Sequence, residues 1–277
     1  MNEIFEEYVR LAIREDLEPL GDITTDAIID KNLKSKLVVR ARRQSGLMSG
    51  LSFSSLVYKL IDPEVKVEEL IKPGQTFAPM ESLAVVSGPA NSILKGERIF
   101  LNLLQRAISI ATYTNQFVQL VHGTKSKILD TRKNVPGLRT FERVAVRDGG
   151  AVNHRFNLST GLLIKDNHIS LAGGIRNAVI SARKKLPHLT KLEVEVDSIE
   201  QIKEISDLNV DVILLDNFTL PMLEEAMQII KKRALTEASG GITLNSVRQI
   251  AEIGLDFISI GSLTQSPPII DIGLDFI

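Results

Sequence analysis

Between residues 129 and 168 seven cations, Arg132, Lys133, Arg139, Arg143, Arg147, Arg155 and Lys165, stand against four acids, Asp130, Glu142, Asp148 and Asp166. His154 and His168 lie in the same stretch, yet the whole chain carries a net charge of only -1. Fixed cations gathered in one segment of a near-neutral protein suit a small anion. The planar guanidinium fork grips carboxylates and phosphates through two parallel hydrogen bonds. A nucleic-acid surface would call for a basic chain with interleaved aromatic rings for stacking, and a sequence pI near 6.5 does not support one.

Lys165 admits three roles: Schiff-base nucleophile, phosphate ligand or structural ion-pair partner. Asp166 adjoins it and Glu195 falls on the neighbouring expected strand, so an electrostatic role is favoured over a nucleophilic one. His154 beside Arg155 points to anion binding. Arg139, Arg143 and Arg147 recur every fourth residue, with Glu142 and Val146 on a neighbouring row. That is the pattern of a solvated helix face, and it makes Arg143 and Arg147 expected bystanders.

These side chains need a frame. After residue 125, short β-rich runs alternate with amphipathic stretches, and strands are expected at 127–132, 162–166, 192–197, 212–216, 235–239 and 257–261. Strand followed by helix, repeated with short loops, argues a parallel sheet closed into a barrel, two units short of the usual eight. Helix 198–208 is expected to open with a Ser198/Gln201 capping box. Each strand ends on residues that core packing would not choose: Asp130-Thr131-Arg132-Lys133, Lys165-Asp166, Glu195-Val196-Asp197, Asp216-Asn217, Glu237-Ala238-Ser239-Gly240-Gly241 and Ile260-Gly261-Ser262. Barrel enzymes place their chemistry at these C-terminal ends.

On the third strand, Glu193 and Glu195 share one face and Val194 and Val196 the other. With the valines against the helices, both glutamates point inward and need cations, a metal or ligand hydroxyls, or, for Glu193, a buried ion pair with a barrel lysine. The glycine turns at Ser239-Gly240-Gly241 and Gly261-Ser262 have the composition of phosphate-binding loops.

The first half of the chain reads as a small α+β domain. It has a charged helix over 3–17, strand-like runs at 36–41, 65–71 and 82–87, and an unbroken helical pattern over 92–121 that connects the halves. The hexapeptide IGLDFI occurs at 253–258 and again at 272–277, a coincidence between two apolar runs. The chain has no cysteine, which excludes disulfides and thiolate chemistry. A charged opening and the lack of a membrane-length apolar run make a cytoplasmic location the expectation, with no membrane partner.

Taken in order along the chain, EDLEPLGDITT (15–25), GERIFLNLL (96–104), DTRKNVPGLR (130–139), GGAVNHRFNL (149–158), IKDNHI (164–169), EVEVDS (193–198), ILLDNF (213–218), EASGGI (237–242) and SIGSLTQSPP (259–268) resemble quinolinate phosphoribosyltransferases. The resemblance covers essentially the whole chain. It implies an α/β protein with an N-terminal α+β open sandwich domain of residues 1–108, joined by the segment 267–277, and an incomplete, six-stranded α/β barrel over 109–266. It also implies a transferase that converts quinolinate and phosphoribosyl pyrophosphate to nicotinate mononucleotide, pyrophosphate and CO2 for NAD biosynthesis.

By the same resemblance Thr131, Arg132, Lys133, His154, Arg155 and Lys165 match substrate-binding positions, and Lys165, Glu195 and Asp216 the catalytic ones. Glu195 and Asp216 match acids near the ribose and Mg2+, directly or through water. The turns at Ser239, Gly240 and Gly241 and at Ser259 to Gly261 match phosphate loops. Arg98 of GER matches an arginine given to a neighbouring subunit, within a homodimer with shared active sites or a homohexamer. Three other readings remain open: a relative linked to molybdenum transport, an aldolase using Lys165, and a nucleic-acid module using the 129–168 arginines.

Overall fold

The computed structural model describes residues 3–276. Its strands, in chain order, are β1 (Lys34–Ala41), β2 (Gly46–Leu47), β3 (Lys66–Glu69), β4 (Thr76–Phe77), β5 (Ser82–Pro89), β6 (Lys127–Leu129), β7 (Leu162–Ile164), β8 (Leu192–Val196), β9 (Val212–Asp216), β10 (Leu235–Ser239), β11 (Phe257–Ser259) and β12 (Ile272–Phe276). The chain divides into two compact units. One takes residues up to Asn115, residues 134–150 and the chain from Ser262 onward; the other takes 116–133 and 151–261.

In the first unit an antiparallel sheet runs in the order β12-β1-β5-β3. Val39 and Ala41 of β1 and Leu83 and Val86 of β5 are fully or nearly fully buried, and the expected helix forms over Glu3–Leu17. Phe5 from that helix stacks on Phe141 with ring centroids 5.3 Å apart, and Phe53 meets both rings edge-on. Phe141 belongs to the helix Arg139–Asp148, which corrects one expectation. The Glu142/Val146 row of that helix is buried, whereas Arg147 on the arginine row is exposed. The arginines recur at the spacing of a solvated face, but aromatic packing decided which side turned inward. The second IGLDFI copy forms β12 as far as Phe276, with Ile277 outside the described residues, while the first spans a turn and the start of β11. The two copies therefore do different structural work.

The second unit is a six-stranded parallel sheet in the order β6-β11-β10-β9-β8-β7, with helices between successive strands. All six expected strands form, and the architecture is an incomplete α/β barrel. On the outer side of β6, Val152 makes a single parallel bridge to Leu129. From the same segment Arg155 Nη1 donates to the carbonyl of Gly161, just before β7, at 2.9 Å. A side chain thus spans from the 152 segment to β7 where a strand ladder would otherwise run. Leu192, Val194 and Val196 of β8 are buried on one face, leaving Glu193 and Glu195 on the other, as the period of two requires.

The capping box is corrected. Ser198 makes no side-chain cap bond, and Gln201 Oε1 instead accepts from the Asp197 N–H at 3.0 Å. Among the described residues no helix is long and apolar enough to cross a membrane.

Candidate active site

Parallel register sets the levels of the barrel. Glu195 of β8 and Glu237 of β10 both stand beside Leu214 of β9, and one level further on Asp216 pairs with Ser239. Neighbouring strands in a sheet point level side chains to the same side, so the acids of three strands collect within one barrel.

The deepest group is His154 with Glu193 and Glu237. His154 Nε2 lies 3.2 Å from Glu193 Oε2 and 3.5 Å from Glu237 Oε1. Glu193 is 8% exposed and Glu237 2%. The expected barrel lysine is therefore replaced by a histidine and a second acid. Burial, reinforced by the charge of Glu193, pushes the Glu237 carboxyl up to about 7. Ser259, itself buried, donates to Glu237 and so points inward instead of lying open at its turn.

For His154 burial opposes the charged ring, but the Glu193 hydrogen bond and the Glu237 charge outweigh it and raise its pKa. A local contact resists that proton. The Arg155 N–H donates to His154 Nδ1 at 2.7 Å, and a protonated Nδ1 would set N–H against N–H. We therefore assign the neutral ring with its proton on Nε2, aimed at the carboxylates. The same contact rules the group out as a metal centre: ligation through Nε2 would leave Nδ1 needing to donate, and here it accepts.

Asp130, 1% exposed, braces the segment from below. Its Oδ1 accepts from the His154 N–H at 2.7 Å and its Oδ2 from Asn153 Nδ2 at 2.8 Å. Arg155 is half-buried, and burial followed by the nearby charge of Arg132 lowers its pKa. Two guanidinium groups brought towards each other at a barrel rim make an anion-binding arrangement. Lys165 pairs with Glu195, as the strand reading anticipated. The Lys133 N–H donates to Thr131 Oγ1 at 3.1 Å, and its stem crosses Gly261 so closely that a Cβ there would stand 2.8 Å from Lys133 Cδ. Close approach of a lysine, as well as any phosphate, explains glycine at 261.

Asp216 and the Ser239-Gly240-Gly241 turn meet through Asn217, which sequence reasoning missed. Asn217 has φ +57, donates its N–H to the Ser239 carbonyl at 2.9 Å and its Nδ2 to Asp216 Oδ2 at 2.7 Å. Gly240 has φ +93, and a Cβ on it would collide with the Asn217 side chain. The signal was present: asparagine, after glycine, best tolerates the left-handed region and so suits a sharp exit from a strand. Glu237 was also missed as a site residue, although it alternates with Ser239 as Glu193 does with Glu195. Arg98 is exposed on the helix Ala90–Leu120 of the first unit. There Gly96 lets Tyr58 pack close, since a Cβ would approach its ring to 2.6 Å.

Known proteins resemble this chain over nearly its whole length. Residues 22–108 match the quinolinate phosphoribosyl transferase N-terminal domain and residues 110–275 its C-terminal domain. The chain is 38% identical over 256 residues to a probable nicotinate-nucleotide pyrophosphorylase (carboxylating) of Bacillus subtilis, covering 92% of this chain and 88% of that one. It is 37% identical to the chloroplastic nicotinate-nucleotide pyrophosphorylase (carboxylating) of Arabidopsis thaliana, covering 96% of this chain and 81% of the relative. The crystal structure of the nicotinate-nucleotide pyrophosphorylase from Ehrlichia chaffeensis superposes with a TM-score of 0.94 at 38% identity, over 100% of both chains. With both domain types present in order and relatives at this identity over nearly the whole chain, the protein belongs to the quinolinate phosphoribosyltransferase family.

Proposed function

We propose that this protein transfers the phosphoribosyl group of phosphoribosyl pyrophosphate to quinolinate, with loss of CO2, giving nicotinate mononucleotide and pyrophosphate. The observation that carries this reading is the barrel rim of the second unit. There Arg155 lies near Arg132, Lys133 crosses Gly261 and Lys165 pairs with Glu195, which suits anionic carboxylates and phosphates beside a ribose that develops positive charge. Membership of the family supports the same substrates.

In this reading Arg132, Arg155 and Lys165 neutralise the quinolinate carboxylates, and binding energy turns the ring nitrogen toward the sugar carbon. Lys133, Thr131 and the turns at Ser239-Gly240-Gly241 and Gly261 hold phosphates. As pyrophosphate leaves, the ribose develops oxocarbenium-like positive charge, and the fixed carboxylates of Glu195 and Asp216 stabilise it. Loss of CO2 then leaves the electron pair of the broken bond on the ring carbon beside the positively charged nitrogen, which stabilises it until that carbon takes up a proton from water.

The residues fit Mg2+ carried by the diphosphate, since Asp216 and Glu195 offer hard oxygen donors at adjacent strand ends. When bound, the ion would neutralise the leaving pyrophosphate. Exposed Arg98 would complete the site of a second copy in a homodimer or homohexamer. A cytoplasmic location belongs to the same proposal.

The test is direct. Purified protein given quinolinate, phosphoribosyl pyrophosphate and magnesium should form nicotinate mononucleotide; acceptance of nicotinate with no reaction of quinolinate would overturn the assignment. Mixing inactive Arg98→Ala and Lys165→Ala subunits should restore partial activity. No recovery despite subunit exchange would sink the shared site.

A further inference from the structure

We propose that Asn217 is a positioning residue for the phosphorylated sugar: its side-chain amide aims the Asp216 carboxylate and locks it to the Ser239-Gly240-Gly241 turn. The proposal rests on the phosphoribosyl reading above and adds a residue to it. An acid that is to face a developing positive charge must hold one direction. Glu195 is held by Lys165, whereas among the described residues Asp216 has no cation as partner.

Asp216 ends β9, level with Ser239 at the end of β10. Beyond that level both strands leave the sheet. Asn217 turns out at φ +57, a left-handed backbone that asparagine tolerates better than most residues with a Cβ. Its N–H donates to the Ser239 carbonyl at 2.9 Å, one last rung between the two exits. Its Nδ2 reaches back to Asp216 Oδ2 at 2.7 Å, a short, charge-assisted bond. The reverse amide orientation would set two oxygens against each other.

Among the described residues no other donor meets the Asp216 carboxylate, so Asn217 alone decides which way it points. The same amide lies over Gly240, where a Cβ would stand 2.2 Å from Asn217 Oδ1 and 2.8 Å from its backbone nitrogen. Gly240 is thus both the bend of the turn and the seat of the amide. The N–H groups of Gly240 and Gly241 donate to no protein acceptor among the described residues and suit an anion. One side chain therefore connects the acid meant for the ribose with the amides meant for its phosphate.

Two substitutions keep the left-handed turn and differ in what they offer Asp216. Asn217→Gly retains the backbone rung but has no side-chain donor, while Asn217→Asp retains the shape and turns a charged oxygen towards Asp216 Oδ2. Asn217→Gly should raise the KM for phosphoribosyl pyrophosphate about tenfold and lower kcat about tenfold, with the KM for quinolinate within about twofold of the parent. Asn217→Asp should cost more, about 100-fold in kcat/KM for phosphoribosyl pyrophosphate, because like charges turn Asp216 away. Both should unfold in urea near the parent's midpoint. A residue that served the backbone alone would leave both variants as active as the parent, and that result would overturn the proposal.

Calorimetric titration of nicotinate mononucleotide into metal-free protein supplies a readout without turnover. On the present reading its ribose faces Asp216 and its phosphate the turn, so Asn217→Gly should weaken binding about tenfold. In an Asp216→Asn background the same substitution should weaken it by no more than about twofold, since Asn217 acts through Asp216. Equal losses in the two backgrounds would sink the idea. Failure of the parent protein to form product from quinolinate would instead defeat the functional reading, whereas an active parent with unaffected variants defeats this proposal alone.

Discussion

Glu142 in the first unit and Glu237 in the second are both buried glutamates, and their surroundings could hardly differ more. Glu142, fully buried, receives the Arg106 guanidinium at 2.7 Å on Oε1 and the Val135 N–H at 3.3 Å on Oε2. Arg106 also donates to the Thr264 carbonyl at 2.8 Å, tying the final segment to the helix pair. Burial raises the Glu142 pKa and Arg106 works against that rise. Glu237 faces another acid and a neutral histidine. The first arrangement is one that architecture alone explains, since each buried charge has its counterpart. The second lacks that compensation: two buried acids face one histidine, an arrangement that packing alone would not have favoured over apolar side chains.

Four changes separate the roles of the two acids. The largest effect should come at the rim: Lys165→Ala is expected to lower kcat/KM for quinolinate by about 100- to 1000-fold. Its urea-unfolding midpoint should hardly move, and a parallel fall in both would mean that the rim is structural after all. Next, Arg106→Met strands a buried carboxylate and should cost about 3 kcal/mol in urea unfolding, most of it recovered by adding Glu142→Leu. No recovery in the double variant would show that the pair does more than satisfy its own charge.

Smaller still, Gly240→Ala forces a side chain into the left-handed region against Asn217 and should cost about 1 to 3 kcal/mol. Activity should fall with it as Asp216 shifts, which can be checked by assay of the folded fraction. The smallest effect is a pH dependence. A carboxyl raised from 4.5 to about 7 on folding binds its proton more tightly in the folded state. Its contribution to stability is therefore full below the unfolded pKa and is lost as pH rises through about 7. Unfolding free energies measured across that window should show a decline that Glu237→Gln lacks; an identical slope in both proteins would assign the decline to other groups.

Much of the second unit was legible because its signals are local. A run such as LEVEV states which residues share a face, and successive strand–helix repeats state that the sheet is parallel. The polar strand ends followed from the same reading, and Lys165 found Glu195 because adjacent strands bring their ends together. On helix 139–148 the reading of Arg147 as solvated agrees with its exposure, but the Glu142/Val146 row is buried, because the spacing of the arginines is identical whether the opposite face meets solvent or Phe5. The capping partner of Gln201 was misplaced by one residue, a choice between two backbone N–H groups that only the actual turn settles.

The succession of elements, the inward direction of Glu193 and Glu195, and the concentration of cations near the strand ends are all legible along the chain before it folds. Periodicity and charge are written residue by residue, and burial of apolar faces then leaves little freedom. Tertiary structure alone decided the partners. Residues 154, 193 and 237 meet only because strand order and register bring β8 and β10 to either side of one imidazole. Which nitrogen of that imidazole carries its proton depends on the next residue's amide, whose direction exists only once the barrel has folded.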